Sequence, residues 1–220
     1  MNQKGSFTQV KRLPEKAVND RRVLNEILDS GFVAHVGVSD RDQPIVIPVA
    51  YARLGDQVVI HGSSASRLFK LLATGCSAAL TVTILDGIVL ARSLFESSMH
   101  YRCAMLFGSF RTLTDAEELA GLKAITDQLV PGRWDDARQP TTQELKATST
   151  LAMHIDQWSV KVSNGDPTDT DEDLANPDAM QIWAGVLPIE NQIIGAIADP
   201  LVPAGVAVPD YIRARQGHRL

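Results

Sequence analysis

Three short runs rich in β-branched residues follow one another within residues 32–62, and only tight polar turns separate them. The runs are FVAHVGVS, PIVIPVAYA and QVVIHG, and they are joined by DRDQ and RLGD. β-Branched residues favour strands, and connections this short join antiparallel neighbours. The sequence therefore predicts a meander of antiparallel strands.

Two short helices are predicted around this meander. RRVLNEILDS, from Arg21 to Ser30, repeats apolar residues at helical spacing, and Gly31 follows as a candidate C-cap. After Ser66 the pattern changes again, and LFKLLATG places apolar residues on one helical face up to Gly75.

The second half of the chain carries further signals of both kinds. Asp86-Gly87 lies between two apolar runs, which predicts a hairpin. Thr114 to Val130 is predicted to be a helix, because Thr114 and Glu117 have the spacing of a capping box. Leu151 to Val162 is predicted to be the last strand, with a bend near residues 156–157 where its apolar alternation changes parity.

These elements predict a mainly β fold with flanking helices. About six or seven short antiparallel strands of this kind usually close into a barrel. We expect one barrel domain over residues 1–188 and a C-terminal extension, residues 189–220, that packs on the barrel or on a partner subunit. The acidic segment NGDPTDTDEDLANPD does not follow the EF-hand pattern and is predicted to be a solvated loop.

Charge and composition exclude several classes of function. The net charge of −5 argues against binding to a nucleic-acid backbone, which needs clustered cations. The two cysteines have no partners at metal-ligand spacing, and no run is apolar and long enough to cross a membrane. The N-terminus lacks the apolar stretch of a signal peptide, so we expect a cytoplasmic protein whose partner is a small molecule.

Common catalytic motifs are missing from the sequence. It has no Gly-x-Gly-x-x-Gly for a dinucleotide, no phosphate-loop motif and no Gly-x-Ser-x-Gly nucleophile elbow. The five histidines form no close pair, so no local motif predicts a metal site. A site assembled from ligands on distant strands remains an alternative. If the protein is an enzyme, its reactive group is a bound cofactor.

The loop between the third strand and its helix has the composition of a phosphate site. Gly62 and three serines precede Arg67, so hydroxyls, backbone N–H groups and a guanidinium converge there. The alternative is that the serines only cap the helix while Arg67 and Lys70 are solvated.

The order of the motifs resembles the FMN-binding split β-barrels related to pyridoxamine 5′-phosphate oxidase, which include nitroimidazole-resistance reductases. The resemblance covers residues 10–188, and it rests on eight segments in order: FVAHVGV, PIVIPVAYA, IHGSSASRLFKLLATG, ILDGIVLARS, MHYRCAMLFG, LVPGRWDDARQPTTQELKAT, SVKVSNGDP and IWAGVLPI.

The resemblance implies a set of FMN-binding residues. The strand segment that would lie along the isoalloxazine ring comprises Val46, Ile47, Pro48 and Val49. The phosphate would be held by His61, Gly62, Ser66, Arg67 and Lys70. A third strand would contribute Tyr101, Arg102 and Cys103, where relatives often have serine in place of the cysteine, and a late strand would contribute Trp158, for which a core or interface position is the alternative.

The resemblance also implies a function and an assembly. Related barrels are homodimers with flavins in the clefts between subunits, and the flavin passes electrons to or from a small molecule. We therefore expect an FMN-dependent oxidoreductase, with His61 and Tyr101 as weak candidates for a proton donor. A flavin-binding sensor or carrier without turnover, the same barrel with haem or a deazaflavin, and pyridoxamine-phosphate oxidase activity remain as alternatives.

Overall fold

The computed structural model describes residues 7–219 and contains ten strands within that range. The strands are β1 (Ala17–Val18), β2 (Val33–Asp40), β3 (Gln43–Leu54), β4 (Gln57–Ser63), β5 (Ser77–Leu90), β6 (Ser98–Ser109), β7 (Arg111–Thr112), β8 (Thr148–His154), β9 (Gln157–Ser163) and β10 (Gly185–Pro188). The helices are α1 (Arg21–Ser30), α2 (Arg67–Leu72), α3 (Asp115–Leu129), α4 (Arg133–Asp136), α5 (Thr142–Ala147), α6 (Asp171–Ala175) and α7 (Asp210–Arg213).

All strand pairs are antiparallel, and their order is β1-β9-β6-β5-β2-β3-β4-β8-β7, with β10 paired to β5. The predicted meander is confirmed, because β2, β3 and β4 follow the three β-branched runs. The fold is a mainly antiparallel split barrel with flanking helices, as the sequence predicts.

The barrel interior holds the main hydrophobic core. Buried side chains of seven strands meet there, and α1 and α2 close it with Leu24, Ile27, Leu68 and Leu72. α3 lies outside, where Ile125 packs on a second, smaller cluster over β3, β4 and β8. The helices therefore cover the barrel and leave the outer face of β2, β5 and β6 without a helix among the described residues.

The hairpin predicted at Asp86-Gly87 is wrong. These residues form a bulge within β5, whose pairing with β6 shifts register between Leu85 and Gly87 and then continues. Arg102 on β6 fixes the bulge with two hydrogen bonds to the carboxylate of Asp86, at 2.8 and 2.9 Å. A partner strand on both sides of the Asp-Gly pair holds the chain straight, so the local turn preference does not decide the structure.

Two other local predictions are confirmed only in part: the chain bends beside residue 156 and a helix follows Thr114, but the details differ. Residues 151–162 form two strands that turn at residues 155–156, with β8 beside β4 and β9 beside β6. Thr114 makes no side-chain cap, and Glu117 instead pairs with Arg111 at 2.8 Å. The true capping box is at the start of α5, where Thr141 and Glu144 exchange hydrogen bonds.

The acidic segment is anchored rather than wholly solvated. Asp169 is almost completely buried and accepts hydrogen bonds from the backbone N–H and the guanidinium of Arg92, at 2.7 and 2.6 Å. The short helix α6 follows, capped by Thr170. A paired buried carboxylate ties this segment to the end of β5.

Candidate functional site

A cavity of about 820 Å³ crosses one end of five neighbouring strands. We call it the apolar cavity, and its lining comprises Phe7, Gly37, Val38, Ser39, Pro44, Ile45, Val46, Gly75, Ser77, Ala78, Ala79, Phe107, Gly108, Ser109 and Gln157. None of these side chains is charged, and the rings of Phe7 and Phe107 lie 5.8 Å apart. The volume lies within the range found for small-molecule sites in proteins, and the lining is uncharged.

The barrel is split beside this cavity. β3 pairs with β2 through residues 43–50, but with β4 only through residues 51–54. Beyond that point β4 continues along β8, so the edge of β3 that faces away from β2 is free of a strand partner at residues 44–50 among the described residues. Val46 and Ile47 are correspondingly exposed, at 64% and 37%.

Prolines reduce the number of backbone donors along the free edge. Alternate residues of an antiparallel strand direct their N–H and C=O groups to opposite edges, so residues 44, 46 and 48 share one direction. Pro44 and Pro48 have no N–H, and prolines in a sheet are confined to positions that do not donate to a neighbour. Between two prolines, Val46 is therefore placed to direct its N–H and C=O to the open edge.

A second cavity of about 360 Å³ lies near the first. We call it the cationic cavity, and its lining comprises Asp40, Ala65, Arg67, Lys70, Leu71 and Thr74. Ser39 and Gly75, the chain neighbours of Asp40 and Thr74, line the apolar cavity. Consecutive residues, Ser39 and Asp40 on one side and Thr74 and Gly75 on the other, therefore line the two cavities.

The start of α2 presents unused donors to the cationic cavity. Ser66 occupies the N-cap position without a side-chain cap hydrogen bond, and the first N–H bonded inside the helix is that of Lys70, to the carbonyl of Ser66 at 3.0 Å. Position 62, near the end of β4, requires glycine, because a Cβ there would lie 2.2 Å from the ring of Phe69 on α2. Close packing of Phe69 on β4 therefore fixes the helix that carries Arg67.

His61 does not share this site. It lines a third cavity of about 320 Å³, which we call the His61 cavity, together with Leu122, Thr126, Trp134, Arg138, Pro140, Glu144, Leu145 and Thr148. Consecutive strand residues face opposite sides, so Gly62 meets α2 while His61 faces α3 and α5. Its Nδ1 is buried without a hydrogen-bond partner in the described part of the chain, and burial lowers the pKa of the imidazole.

Tyr101, Arg102 and Cys103 of β6 line neither the apolar cavity nor the cationic cavity. β2 and β5 separate β3 from β6, so three strand spacings, or about 14 Å, lie between them. Arg102 is held by Asp86, which raises the pKa of the guanidinium, and Thr83 contacts the thiol of Cys103 at 3.4 Å. Tyr101 pairs with Ser163 in the same ladder.

Trp158 packs inside the barrel. Its side chain is 5% exposed and belongs to the main core cluster. The structure therefore places it in the core position that the sequence left as the alternative to flavin binding.

Sequence reasoning missed Asp40, Thr74 and the residues of the apolar cavity apart from Val46. Asp40 comes from the end of β2, so only the tertiary fold brings it to Arg67, whereas Thr74 follows α2 and lies near Arg67 through local helical spacing. The separation of His61 from Gly62, in contrast, could have been found from the period-two alternation of a strand.

The chain is thus a split antiparallel barrel that carries an apolar cavity and a cationic cavity. The chain belongs to the pyridoxamine 5′-phosphate oxidase family, whose model matches residues 20–162. None of the curated proteins compared with the sequence matches it significantly.

Solved structures agree with this assignment. The FAD and haem binding protein from Mycobacterium smegmatis is 42% identical, with a TM-score of 0.87 over 92% of this chain and 98% of that one. The flavocytochrome Anf3 from Azotobacter vinelandii is 37% identical, with a TM-score of 0.89 over 96% and 97%. A Bacteroides thetaiotaomicron protein, proposed to confer 5-nitroimidazole resistance, shares the fold at 19% identity and a TM-score of 0.56, over 66% of this chain and 86% of that one.

Among the described residues, no helix is both long and apolar enough to span a membrane. Nor do three or more His, Cys, Asp or Glu side chains gather there in a group that could hold a metal ion.

Proposed function

We propose that this protein is a flavin-binding oxidoreductase whose site comprises the apolar cavity and the cationic cavity. The observation that carries the proposal is their proximity: chain-neighbouring residues line an uncharged cavity beside an open strand edge and a cavity with two cations. A flavin nucleotide has the same two parts, a flat heteroaromatic ring and a phosphate. The names of the two relatives above 30% identity, which mention FAD or a flavin, support the same conclusion.

The residues present fit such a cofactor. The open edge at Val46 would form backbone hydrogen bonds with the ring. The N–H groups at the start of α2, together with Arg67 and Lys70, would donate hydrogen bonds to the phosphate oxygens. When bound, the flavin supplies electron transfer between a reduced donor and a small acceptor. The chain's own part is to orient the ring, hold the phosphate and exclude water with Phe7 and Phe107.

The test is a titration of the purified protein with FMN and FAD, followed by fluorescence or calorimetry. We expect Arg67→Ala to weaken flavin binding by about 1.5–3 kcal/mol, because it removes a charge-assisted hydrogen bond. Arg22→Ala is the matched control, since Arg22 is also an exposed arginine paired with an aspartate, at 2.8 Å from Asp20. Equal affinity of wild type and Arg67→Ala for flavin would contradict the phosphate assignment.

A bound haem is the second candidate, and His61 is the observation that favours it. Burial favours the neutral imidazole, which is the form that ligates iron, and the names of both closer relatives indicate haem or a cytochrome. An absorption spectrum of the protein as isolated separates the candidates. A Soret band beside flavin absorbance would support both cofactors, while flavin absorbance alone would restrict the function to flavin chemistry.

We also propose that the protein acts as a homodimer. Val33, Val46 and Leu85 expose 37–64% of their surface on the outer face of the sheet, opposite the core. The C-terminal extension adds Ile194, Ile197 and Leu201, at 83–99% exposure.

The extension is ordered although its apolar residues are exposed. Its two ends are joined by hydrogen bonds between Ile193 and the backbone of residues 217–218, and Arg219 pairs with Glu190 at 3.0 Å. A chain with both a protruding apolar loop and an apolar sheet face is complementary to a second copy of itself in a two-fold dimer. Such a dimer would also provide a route for β6 residues of one subunit to reach the site of the other.

A further inference from the structure

The candidate phosphate-binding arginine is paired with a carboxylate. Arg67 Nε donates to Asp40 Oδ2 at 2.7 Å, and a second guanidinium nitrogen contacts the same oxygen. The side chain of Asp40 is 22% exposed, against 68% for Arg67. A phosphate that reaches Arg67 therefore meets the Asp40 carboxylate at the edge of the same cavity.

The turn that carries Asp40 holds it in place. Asp40 is the last residue of β2 and pairs with Gln43 across a two-residue connection. Arg41 and Asp42, the two residues of that connection, have φ values of 49° and 65°. This is the left-handed conformation of the tightest hairpin turns, which usually contain glycine or asparagine. Asp40 is thus fixed at the end of a rigid hairpin rather than on a mobile loop.

The charge of the cationic cavity is consequently low. Arg67 and Lys70 contribute two positive charges and Asp40 one negative charge, so the three side chains sum to +1. The terminal phosphate of FMN is a monoester that carries about −1.5 to −2 at neutral pH. Each phosphate of the FAD pyrophosphate has one ester bond and one anhydride bond, so it carries a single negative charge. A cavity with one net positive charge matches one such phosphate and leaves the second charge of the monoester facing a carboxylate.

Resting on the proposed flavin function, we propose that Asp40 is a specificity-determining residue that selects FAD over FMN. It does so by repelling the second charge of a terminal phosphate while it keeps Arg67 in position for a singly charged one. The cofactor expected from the sequence, FMN, is then the weaker ligand of the two.

The test measures dissociation constants of FMN and FAD for wild type and Asp40→Asn. Asparagine keeps the shape and still accepts a hydrogen bond from Arg67 but removes the charge. We expect FMN affinity to rise about tenfold and FAD affinity to change less than about threefold, because the removed repulsion acts mainly on the doubly charged phosphate. Asp42→Asn is the matched control, since it removes the same charge from the same turn but does not line the cavity.

The results separate this inference from the function on which it rests. If wild type binds neither flavin, both are overturned. If flavin binds but Asp40→Asn leaves the ratio of FMN to FAD affinity unchanged, or Asp42→Asn changes it equally, only the role of Asp40 is overturned. Should Asp40→Asn fail to give the wild-type circular dichroism spectrum, Asp40→Ser replaces it, with the same expected change in the ratio.

Discussion

Gly62 couples the packing of the barrel to the position of Arg67. An added Cβ would lie 2.2, 2.7 and 2.8 Å from three carbons of the Phe69 ring, so the ring must move. Phe69 is 5% exposed and belongs to the core, and overpacking a core in this way costs about 1–3 kcal/mol. The φ of Gly62 lies outside the left-handed range, so alanine recovers about 0.4–1 kcal/mol of chain entropy. We expect Gly62→Ala to lower the free energy of unfolding by about 1–2 kcal/mol, the difference between these two effects.

The assay is urea denaturation combined with a flavin titration. Gly37→Ala is the matched control for the denaturation only, because Gly37 is also a strand glycine and its Cβ would meet other atoms only at 3.9 Å, but it lines the apolar cavity. Phe69→Leu should relieve the clash, so the double variant should be more stable than the sum of the two single changes predicts. Flavin affinity should fall in Gly62→Ala and recover in the double variant, since α2 carries Arg67. Strict additivity of the two stability changes, or a Gly62→Ala protein as stable as wild type, would refute the reasoning.

Two further predictions concern His61 and the C-terminal extension. Burial lowers the pKa of His61 from 6.5, so the unfolded chain takes up a proton before the folded one and stability should fall as pH drops below about 6.5. Thermal melts should show a smaller loss of stability at low pH for His61→Asn than for wild type. An equal loss in the two proteins would exclude His61 as its source. Ile197→Asp should shift the protein from dimer to monomer in sedimentation velocity. Leu119→Asp, at an exposed site on α3, should leave the dimer intact. A dimer unaffected by Ile197→Asp would place the interface elsewhere.

Local patterns predicted the elements whose partners are close in sequence. The meander of β2, β3 and β4 follows directly from its β-branched runs, because each strand pairs with its chain neighbour. The Asp86-Gly87 pair shows where this fails: its turn preference is local, but the pairing with β6 and the Arg102 contact that override it are not. In the sequence, the break between β8 and β9 shows only as a change in the alternation of apolar residues. A bend within one strand and a turn between two strands with different partners produce the same change, so the sequence does not distinguish them.

The site was predictable in part for the same reason. The glycine-serine loop and Arg67 are contiguous, so their proximity needs no tertiary information. Asp40 approaches Arg67 from 27 residues away, and the charge of the cavity depends on that contact. One sequence identifies the cations of such a site more readily than the anion that balances them.

The unpaired edge of β3 has a consequence for solubility. An exposed strand edge can template the addition of a strand from another molecule, which is a route to aggregation. Pro44 and Pro48 interrupt that edge on both sides of Val46 and allow no continuous ladder to form there. The opening of the barrel is thus protected from intermolecular sheet growth, while the peptide group of Val46 stays accessible to a small molecule.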